Sequence, residues 1–325
     1  MKELTFVVQG KVQGNTRRCL ESIRQFYPQS KIILSTWVGE PFAGLEYDAV
    51  VQSEDPGAIE YYPGLYYNLN RQIVSTRAGL DSVDSLYAVK MRTDTQIVGR
   101  KVTALLSEAE DASLFSRKIL ALDLFFRDPR KYKWMLFHIG DIFQIGKTKD
   151  LQDLWSIPLA PEPETSRWNL GKFSIFNECP ELMMRYVPEQ YIFVAFLAKH
   201  NIDASLIYPC ELDLEKSVLS ELLISENFSI FTYEELGLRI PERLLTDMHP
   251  RDIYDKNTLK KANPISARKE LKRKIFNKKL LLIRRFVNSP KMWKDFVNYY
   301  VGIAFHTTSK RPQAASSKFS TTPDL

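Results

Sequence analysis

Apolar and polar positions alternate in blocks along the first 150 residues, and these blocks predict a regular succession of strands and helices. Apolar runs typical of buried strands occur at residues 4–10, 31–37, 47–52 and 86–91. Between them, residues 15–27 and 68–80 repeat apolar positions at the spacing of one helix face. Each helix is long enough to cross over between parallel strands. The pattern therefore predicts an α/β fold, a doubly wound, mainly parallel sheet with helices on both faces.

The middle of the chain is less regular. Residues 118–126 have the composition of a strand, and residues 134–138 are expected to begin another. A short helix is predicted at residues 149–155, followed by a proline-rich loop at 157–165. Pro188 then opens a helix over residues 189–200, at the position where the missing N–H is tolerated.

Charge divides the chain into an acidic body and a basic tail. Residues 256–325 hold 17 of the 45 Lys and Arg residues but three of the 39 Asp and Glu residues, a net charge of +14. The remaining 28 bases and 36 acids give residues 1–255 a net charge of −8. We therefore expect three regions, a body at 1–255, a basic helical segment at 256–309 and a disordered polar tail at 310–325.

The basic segment has the pattern of a helix that lies on a membrane surface. Between residues 265 and 287 apolar side chains fall near one helical face and basic residues cover much of the rest, and residues 292–305 add five aromatic residues. Such a segment is attracted to anionic lipid, so we expect residues 265–305 to bind a membrane surface. Nucleic acid is not expected, because no groove-reading motif is present. The alternative is a helical subdomain whose charges form a solvated face.

Other classes of protein lack support in the sequence. No apolar run approaches the length of a spanning helix, and the first residues do not resemble a signal peptide. The three cysteines lie far apart, which is typical of a reduced, cytosolic compartment. Nucleophile elbows, zinc spacings and Rossmann fingerprints are absent, and Asp141 stands where a phosphate loop ending at Gly146-Lys147-Thr148 would need glycine.

The strongest candidate for chemistry is the segment VKMRTD, residues 89–94, at the carboxyl end of the fourth predicted strand. Ligands of open α/β sheets bind at such ends. Asp94 can hold a divalent cation beneath a diphosphate, while Lys90 and Arg92 can contact phosphate oxygens. The alternative is a surface aspartate that caps the next turn.

Three further groups of residues are candidates for binding or catalysis. The helix at 68–80 brings Asn70, Arg71 and Arg77 towards the same strand ends, where they would recognise a base, ribose or phosphate or form an exposed helix face. His138 and Asp141 are close enough to share one site, as metal ligands or as an acid/base pair, although a histidine beside apolar residues is more often part of the core. Glu189 lies in the first turn of a helix, a position that suits either a general base or a capping carboxylate.

An ordered set of segments resembles the WavE family of lipopolysaccharide and capsule synthesis proteins. The matching segments are VVQG at 7–10, ILSTW at 33–37, NLNRQIVSTRAGL at 68–80, VKMRTD at 89–94, FHIGD at 137–141, LQDLW at 151–155 and PEQY at 188–191. Together they extend over roughly residues 4–200 in order. The individual segments are not specific, so the resemblance depends on their order.

The resemblance implies a glycosyltransferase with a GT-A-like nucleotide-sugar domain at residues 1–255, peripheral on the cytoplasmic face of a bacterial plasma membrane. It implies that Gln9, Gly10 and Asn15 line the nucleotide pocket, and that Asp141 or Glu189 is the base for an acceptor hydroxyl in an inverting reaction. GT-A enzymes commonly bind Mn²⁺ or Mg²⁺ through an Asp-x-Asp motif. Here Arg92 replaces the first aspartate, which weakens the expectation of a metal at Asp94.

The function expected from the resemblance is transfer of a sugar from a nucleotide-sugar donor to a lipopolysaccharide-core or capsular oligosaccharide acceptor, including lipid-linked acceptors. Two alternatives belong to other classes. One is a non-enzymatic protein that binds membrane or nucleic acid through its basic tail. The other is a different nucleotide-dependent enzyme on the same sheet, such as a nucleotidyltransferase.

Overall fold

A computed structural model describes residues 4–131, 134–162, 165, 184–246, 252–254, 256–260 and 264–287. Its strands are β1 (Leu4–Gln9), β2 (Lys31–Trp37), β3 (Ala49–Ser53), β4 (Ile59–Tyr62), β5 (Leu65–Tyr67), β6 (Tyr87–Arg92), β7 (Gln96–Ile97), β8 (Ile119–Leu122), β9 (Phe143–Lys147), β10 (Phe228–Phe231) and β11 (Leu238–Arg239). Its helices are α1 (Thr16–Phe26), α2 (Leu69–Asp81), α3 (Val102–Ser107), α4 (Thr148–Trp155), α5 (Pro188–Lys199), α6 (Leu214–Asn227), α7 (Tyr233–Leu236), α8 (Glu242–Thr246), α9 (Lys256–Lys260) and α10 (Pro264–Val287).

A seven-stranded sheet forms the centre of the fold, in the order β10-β8-β9-β6-β1-β2-β3. All of its neighbouring strands are parallel except β9, which runs antiparallel to both β6 and β8. Helices lie on both faces of the sheet, so the predicted α/β class with a mainly parallel sheet is confirmed.

Burial on both faces explains why the central strands are nearly continuous apolar runs. Along β1, Val7 faces one hydrophobic core, which α2, α4 and α5 complete. Phe6 and Val8 face a second core, to which α1 contributes Cys19, Leu20 and Ile23. A strand covered on both sides has little need for polar residues, which is the pattern of parallel sheets.

Gly79 lets α2 pack closely against the sheet. A Cβ atom at this position would lie 2.4 Å from Val7 Cγ1 and 2.9 Å from Ser35 Cβ. These separations are far below van der Waals contact, so any side chain would push the helix away from β1 and β2. The close approach brings the first turns of α2 to the carboxyl ends of these strands.

The segment 134–138 is buried, yet the prediction that it begins a strand is wrong. Its backbone groups bind side chains instead of a neighbouring strand. The Phe137 N–H donates to Ser220 Oγ at 2.6 Å, and Gln190 Nε2 donates to the Leu136 carbonyl at 2.8 Å. Phe137 also has a positive φ of 53°, which a strand does not accommodate. The next strand, β9, begins only at Phe143.

Helix α10 packs one face against the body of the protein. Ala267, Leu271 and Ile275 are buried in the core that includes α6. The expectation of an apolar face for lipid does not hold for Leu271 and Ile275, because they pack against protein. The aromatic residues expected at 292–305 and the polar tail at 310–325 lie outside the described residues. Within the described part of the chain, no helix has both the length and the apolar character needed to cross a bilayer.

Candidate functional site

A cleft of about 490 Å³ lies at the carboxyl ends of β1, β2 and β6. The chain order reverses between β1 and β6, and ligands of open α/β sheets bind at such switch points. The antiparallel direction of β9 brings the segment before it to the same edge of the sheet. The lining residues are Gln9, Gly10, Lys11, Gln13, Trp37, Glu40, Asp55, Asn68, Leu69, Arg71, Gln72, Ser75, Arg92, Thr93, Phe125, Asp141, Pro188, Glu189 and Leu244.

The end of β1 is held against α2 by side-chain hydrogen bonds. Ser75 Oγ donates to Gln9 Oε1 at 2.8 Å, and Ser35 Oγ donates to the Ser75 carbonyl at 2.7 Å. Gly10 then turns the chain with a φ of 117°, a conformation that favours glycine. The structure therefore places Gln9 and Gly10 on the cleft wall.

Arg71 lines the cleft from the first turns of α2, but its guanidinium already has protein partners. Its Nε and Nη2 donate to the two carboxylate oxygens of Asp55 at 2.7 and 2.6 Å, and its Nη1 donates to Asn68 Oδ1 at 3.0 Å. The hydrogen bonds from Arg71 lower the pKa of Asp55 below its ordinary value. Arg71 therefore orders the loop after β3 as well as bordering the cleft.

Asp94 lies behind the cleft wall and binds two arginines. Arg92 Nε donates to Oδ1 and Arg92 Nη2 donates to Oδ2, each at 3.1 Å. Arg243, from α8, also donates to Oδ2. The Asp94 side chain is 4% exposed, while those of Arg92 and Arg243 are 28% and 56% exposed. The carboxylate is thus buried beneath guanidinium groups that reach solvent.

This arrangement does not fit a divalent cation at Asp94. Mg²⁺ and Mn²⁺ prefer several oxygen ligands, and both oxygens of this carboxylate accept hydrogen bonds from guanidinium groups. A dication in contact with them would also be repelled by two positive charges. In the part of the chain that the structure describes, no group of three or more His, Cys, Asp or Glu residues could hold a metal.

Asp141 lines the cleft and also contacts a buried lysine beneath it. Gln72 Nε2 donates to its carboxylate, and the buried Lys90 Nζ donates to its backbone carbonyl. Lys90 also lies over the Trp155 ring, with 4.7 Å between Nζ and the ring centroid. Burial lowers the pKa of Lys90 to about 8, against the opposing effect of Asp141. The expectation that Lys90 binds phosphate is therefore wrong, because its ammonium group lies under the cleft floor.

Glu189 and His138 form a second polar pair at the cleft. Glu189 lies in the first turn of α5 and lines the cleft, and its Oε2 is 3.8 Å from His138 Nε2. His138 Nδ1 contacts the Phe125 carbonyl, which can only accept, so this nitrogen carries a proton. The buried imidazole therefore turns its other nitrogen towards the carboxylate.

Three residues expected in the site have other roles. Asn70 pairs with the backbone of Ala160, donating to its carbonyl at 3.3 Å and accepting from its N–H at 2.8 Å. Arg77 donates to the Ile157 carbonyl at 3.3 Å. Asn15 is exposed at the start of α1 and does not line the cleft. Helix geometry turns Asn70 and Arg77 away from the strand ends towards the loop after α4.

Several cleft residues were not predicted. Gln72 and Ser75 belong to segment 68–80, one of those that carry the family resemblance. They occupy the same helical face as Asn68, so their spacing could have indicated that they line the cleft together. Arg243, which contacts Asp94 behind the cleft wall, comes from a short helix 149 residues later in the chain, and no local pattern marks it.

The fold and the site define an α/β protein with a polar cleft at the switch point of its sheet, whose lining includes two arginines and four acidic residues. The chain belongs to the WavE lipopolysaccharide synthesis family, whose family model matches residues 4–300. This match agrees with the family indicated by the ordered sequence segments.

Comparison with curated proteins finds no match. Two solved structures show a partial likeness. The bifunctional IspDF from Campylobacter jejuni is 14% identical with a TM-score of 0.30, over 50% of this chain and 44% of its own chain. The 4-diphosphocytidyl-2C-methyl-D-erythritol synthase from Anaerococcus prevotii DSM 20548 is 10% identical with a TM-score of 0.31, over 50% of this chain and 80% of its own. The matched region thus spans less than half the length of IspDF.

Proposed function

We propose that this protein is a GT-A-like glycosyltransferase that moves a sugar from a nucleotide-sugar donor to a lipopolysaccharide-core or capsular oligosaccharide. Family membership supports a role in lipopolysaccharide synthesis. The observation that carries the proposal is that one cleft at the strand ends contains Arg92, Asp141 and Glu189. These side chains offer a cation for phosphate oxygens and carboxylates for a sugar hydroxyl.

The proposed reaction is a single displacement at the sugar C1 atom. The acceptor hydroxyl oxygen forms a bond to C1, and the bond from C1 to the phosphate oxygen breaks with its electron pair on the nucleotide. The hydroxyl proton passes to a carboxylate of the cleft. Negative charge develops on the departing phosphate, where a fixed guanidinium stabilises it without reorganisation.

Glu189 is the better candidate for the base. The carboxylate of Asp141 accepts a hydrogen bond from Gln72 and is almost fully buried. The side chain of Glu189 is 18% exposed and has His138 behind it. We therefore assign proton abstraction to Glu189, and we assign orientation of the acceptor to Asp141.

Membrane association through α10 is part of the same proposal, because lipid-linked acceptors lie at a membrane. Among the described side chains of α10, those exposed on its outer face include Lys269, Lys272, Arg273, Phe276, Lys279 and Leu280. Phe276 and Leu280 are 61% and 47% exposed, and they lie one turn apart on the helix. Apolar side chains flanked by basic ones suit an anionic membrane on the cytoplasmic face.

The proposal is tested with a panel of UDP-, GDP-, CMP- and dTDP-sugars added to the full chain. We expect one donor to raise the melting temperature and to be slowly hydrolysed, with free sugar and nucleotide as products. A panel that produces neither effect would contradict the proposal. Release of pyrophosphate from a nucleoside triphosphate and a sugar phosphate would instead identify a nucleotidyltransferase.

A further inference from the structure

The carboxylate of Asp94 lies at the strand end where the resemblance implies a metal ligand. Its partners in the structure are two arginines, which it holds in position. Its two oxygens accept three hydrogen bonds, all of them from Arg92 and Arg243. Buried carboxylates require such pairing, since desolvation of an isolated charge is costly. The ion pairs also restrict the two long side chains to defined positions beside Asp94.

Arg92 is oriented so that part of its guanidinium remains for a ligand. A guanidinium carries five N–H donors, and Asp94 engages the Nε and Nη2 atoms of Arg92. Arg92 lines the cleft and is 28% exposed. A guanidinium fork matches phosphate geometry, and pairing with a carboxylate on one edge leaves the other edge for phosphate oxygens.

The other arginine of the cleft wall, Arg71, has more of its donors engaged by protein partners. All three nitrogen atoms of Arg71 donate to Asp55 and Asn68. Arg243 adds the second guanidinium at Asp94, and its neighbour Leu244 lines the cleft. Arg92 on the cleft wall and Arg243 beside it therefore share the carboxylate of Asp94.

We propose that Arg92 and Arg243, positioned by Asp94, bind the diphosphate of a nucleoside diphosphate directly and without a divalent cation. The two guanidinium groups occupy the position where the resemblance placed a metal, and they supply the positive charge that a metal would provide. This inference rests on the proposed function, since it concerns the phosphate groups of its donor.

The test is calorimetric titration of the full chain with UDP, GDP, ADP, CDP, dTDP and inorganic pyrophosphate, in EDTA and in Mn²⁺ or Mg²⁺. We expect a nucleoside diphosphate to bind in EDTA with an affinity within about threefold of that with metal, and pyrophosphate to bind more weakly. Arg92→Lys keeps the charge but loses the fork, and should weaken binding in EDTA by roughly tenfold, the effect of one hydrogen bond to a charged group. Arg243→Lys should have an effect in the same direction.

Arg24→Lys provides a matched control away from the cleft. Arg24 Nη2 pairs with Asp48 at 2.9 Å, so the substitution alters an arginine–aspartate pair that does not line the site. We expect its affinity to equal that of the wild type. Asp94→Asn should weaken pyrophosphate binding in EDTA, and urea unfolding of each variant separates this effect from loss of stability.

The outcomes separate the arginine clamp, the metal-free diphosphate site formed by Arg92 and Arg243, from the proposed function. Binding that EDTA abolishes and Mn²⁺ restores would overturn the clamp while the glycosyltransferase proposal stands. Metal-free binding that is unchanged in Arg92→Lys and Arg243→Lys would also overturn it. Arg92-dependent binding of pyrophosphate without binding of any nucleotide would support the clamp and contradict the proposed function. Failure of every ligand in both conditions would contradict both.

Discussion

The cleft and the outer face of α10 both carry basic side chains, but they hold them in different ways. At the cleft, Arg92 forms a bidentate pair with the buried carboxylate of Asp94, and Arg71 forms one with the exposed carboxylate of Asp55. On α10, Lys272, Arg273 and Lys279 are exposed along a helix surface. The difference indicates two kinds of recognition. Binding in the cleft should depend on geometry, so that lysine cannot replace arginine, whereas binding by α10 should depend on the number of charges.

The inner side of α10 is joined to the body of the protein through a buried arginine. The Arg130 side chain is 7% exposed and pairs with Asp128 at 3.2 Å, with Glu221 of α6, and with Glu270 of α10 at 3.1 Å. Burial of one arginine among three carboxylates favours a fixed arrangement of the elements that contribute them. The division into an acidic body and a basic tail is therefore not a division between separate structural units at α10.

The largest effect should come from removing the proposed base of the cleft. Glu189→Gln keeps the shape of the side chain and removes its ability to accept a proton. We expect kcat to fall by roughly 10²- to 10⁴-fold, with little change in donor affinity. Steady-state kinetics and donor titration measure the two effects, and Glu21→Gln, an exposed substitution on α1, is the control. Full loss in Asp141→Asn with activity retained in Glu189→Gln would assign the base to Asp141 instead.

Lys90 should make folding stability depend on pH. Its pKa is about 8 in the folded protein and 10.5 in the unfolded chain, so the folded state binds fewer protons between these pH values. The unfolding free energy therefore rises with pH in this window, by up to about 3 kcal/mol relative to Lys90→Met. Urea unfolding of both proteins from pH 7 to 10.5 measures the difference.

Substitution of an exposed lysine of α10 is the control for this experiment, because it separates the effect of burying a charge from the effect of losing one. Lys272→Met removes the same charge from the outer face, and we expect its unfolding free energy to follow the wild type across the window. If the curves of Lys90→Met and the wild type are parallel as well, Lys90 is not held as a buried cation beneath the cleft.

Gly140 should be intolerant of a side chain because the backbone encloses it. A Cβ atom there would lie 2.4 Å from the Leu124 carbonyl oxygen and 2.7 Å from that of Leu122. We expect Gly140→Ala to lower the unfolding free energy by about 1–3 kcal/mol, the usual range for overpacking. Gly14→Ala is the control, since its Cβ would meet nothing within 4 Å. Equal urea midpoints for the two variants would show that the segment before Asp141 is not tightly packed.

The features that could be predicted from the sequence are those that depend on local patterns. The strands β1, β2 and β6 are covered on both faces, so their apolar runs mark them clearly, and the cleft lies at their carboxyl ends. An apolar run predicts burial but not a ladder of hydrogen bonds. For this reason residues 134–138 resemble a strand although Ser220 and Gln190 bind their backbone.

Depth and long-range contacts account for the remaining differences. Lys90 and Arg92 are two residues apart on β6, so their side chains lie on the same face of the sheet. Arg92 nevertheless borders the cleft, whereas Lys90 is fully buried. Their positions along the strand decide which of them reaches the cleft. The alternation of side chains predicts the face of the sheet, but it does not predict this depth. The contact between Arg243 and Asp94 depends on the path of the chain between two residues that are 149 positions apart.

The smallest effects should come from single charges on α10. Each Lys or Arg near an anionic membrane contributes about 1 kcal/mol, so Lys272→Gln and Lys279→Gln should each weaken binding to vesicles of anionic lipid by about fivefold. Lys272→Arg should bind as the wild type does, in contrast to Arg92→Lys in the cleft. Vesicle sedimentation at several salt concentrations measures these affinities, and the differences should shrink as salt is raised. Vesicle binding that is insensitive to both glutamine substitutions would show that the outer face of α10 is a solvated surface. The cleft would then be the only one of the two regions in which basic side chains bind a ligand.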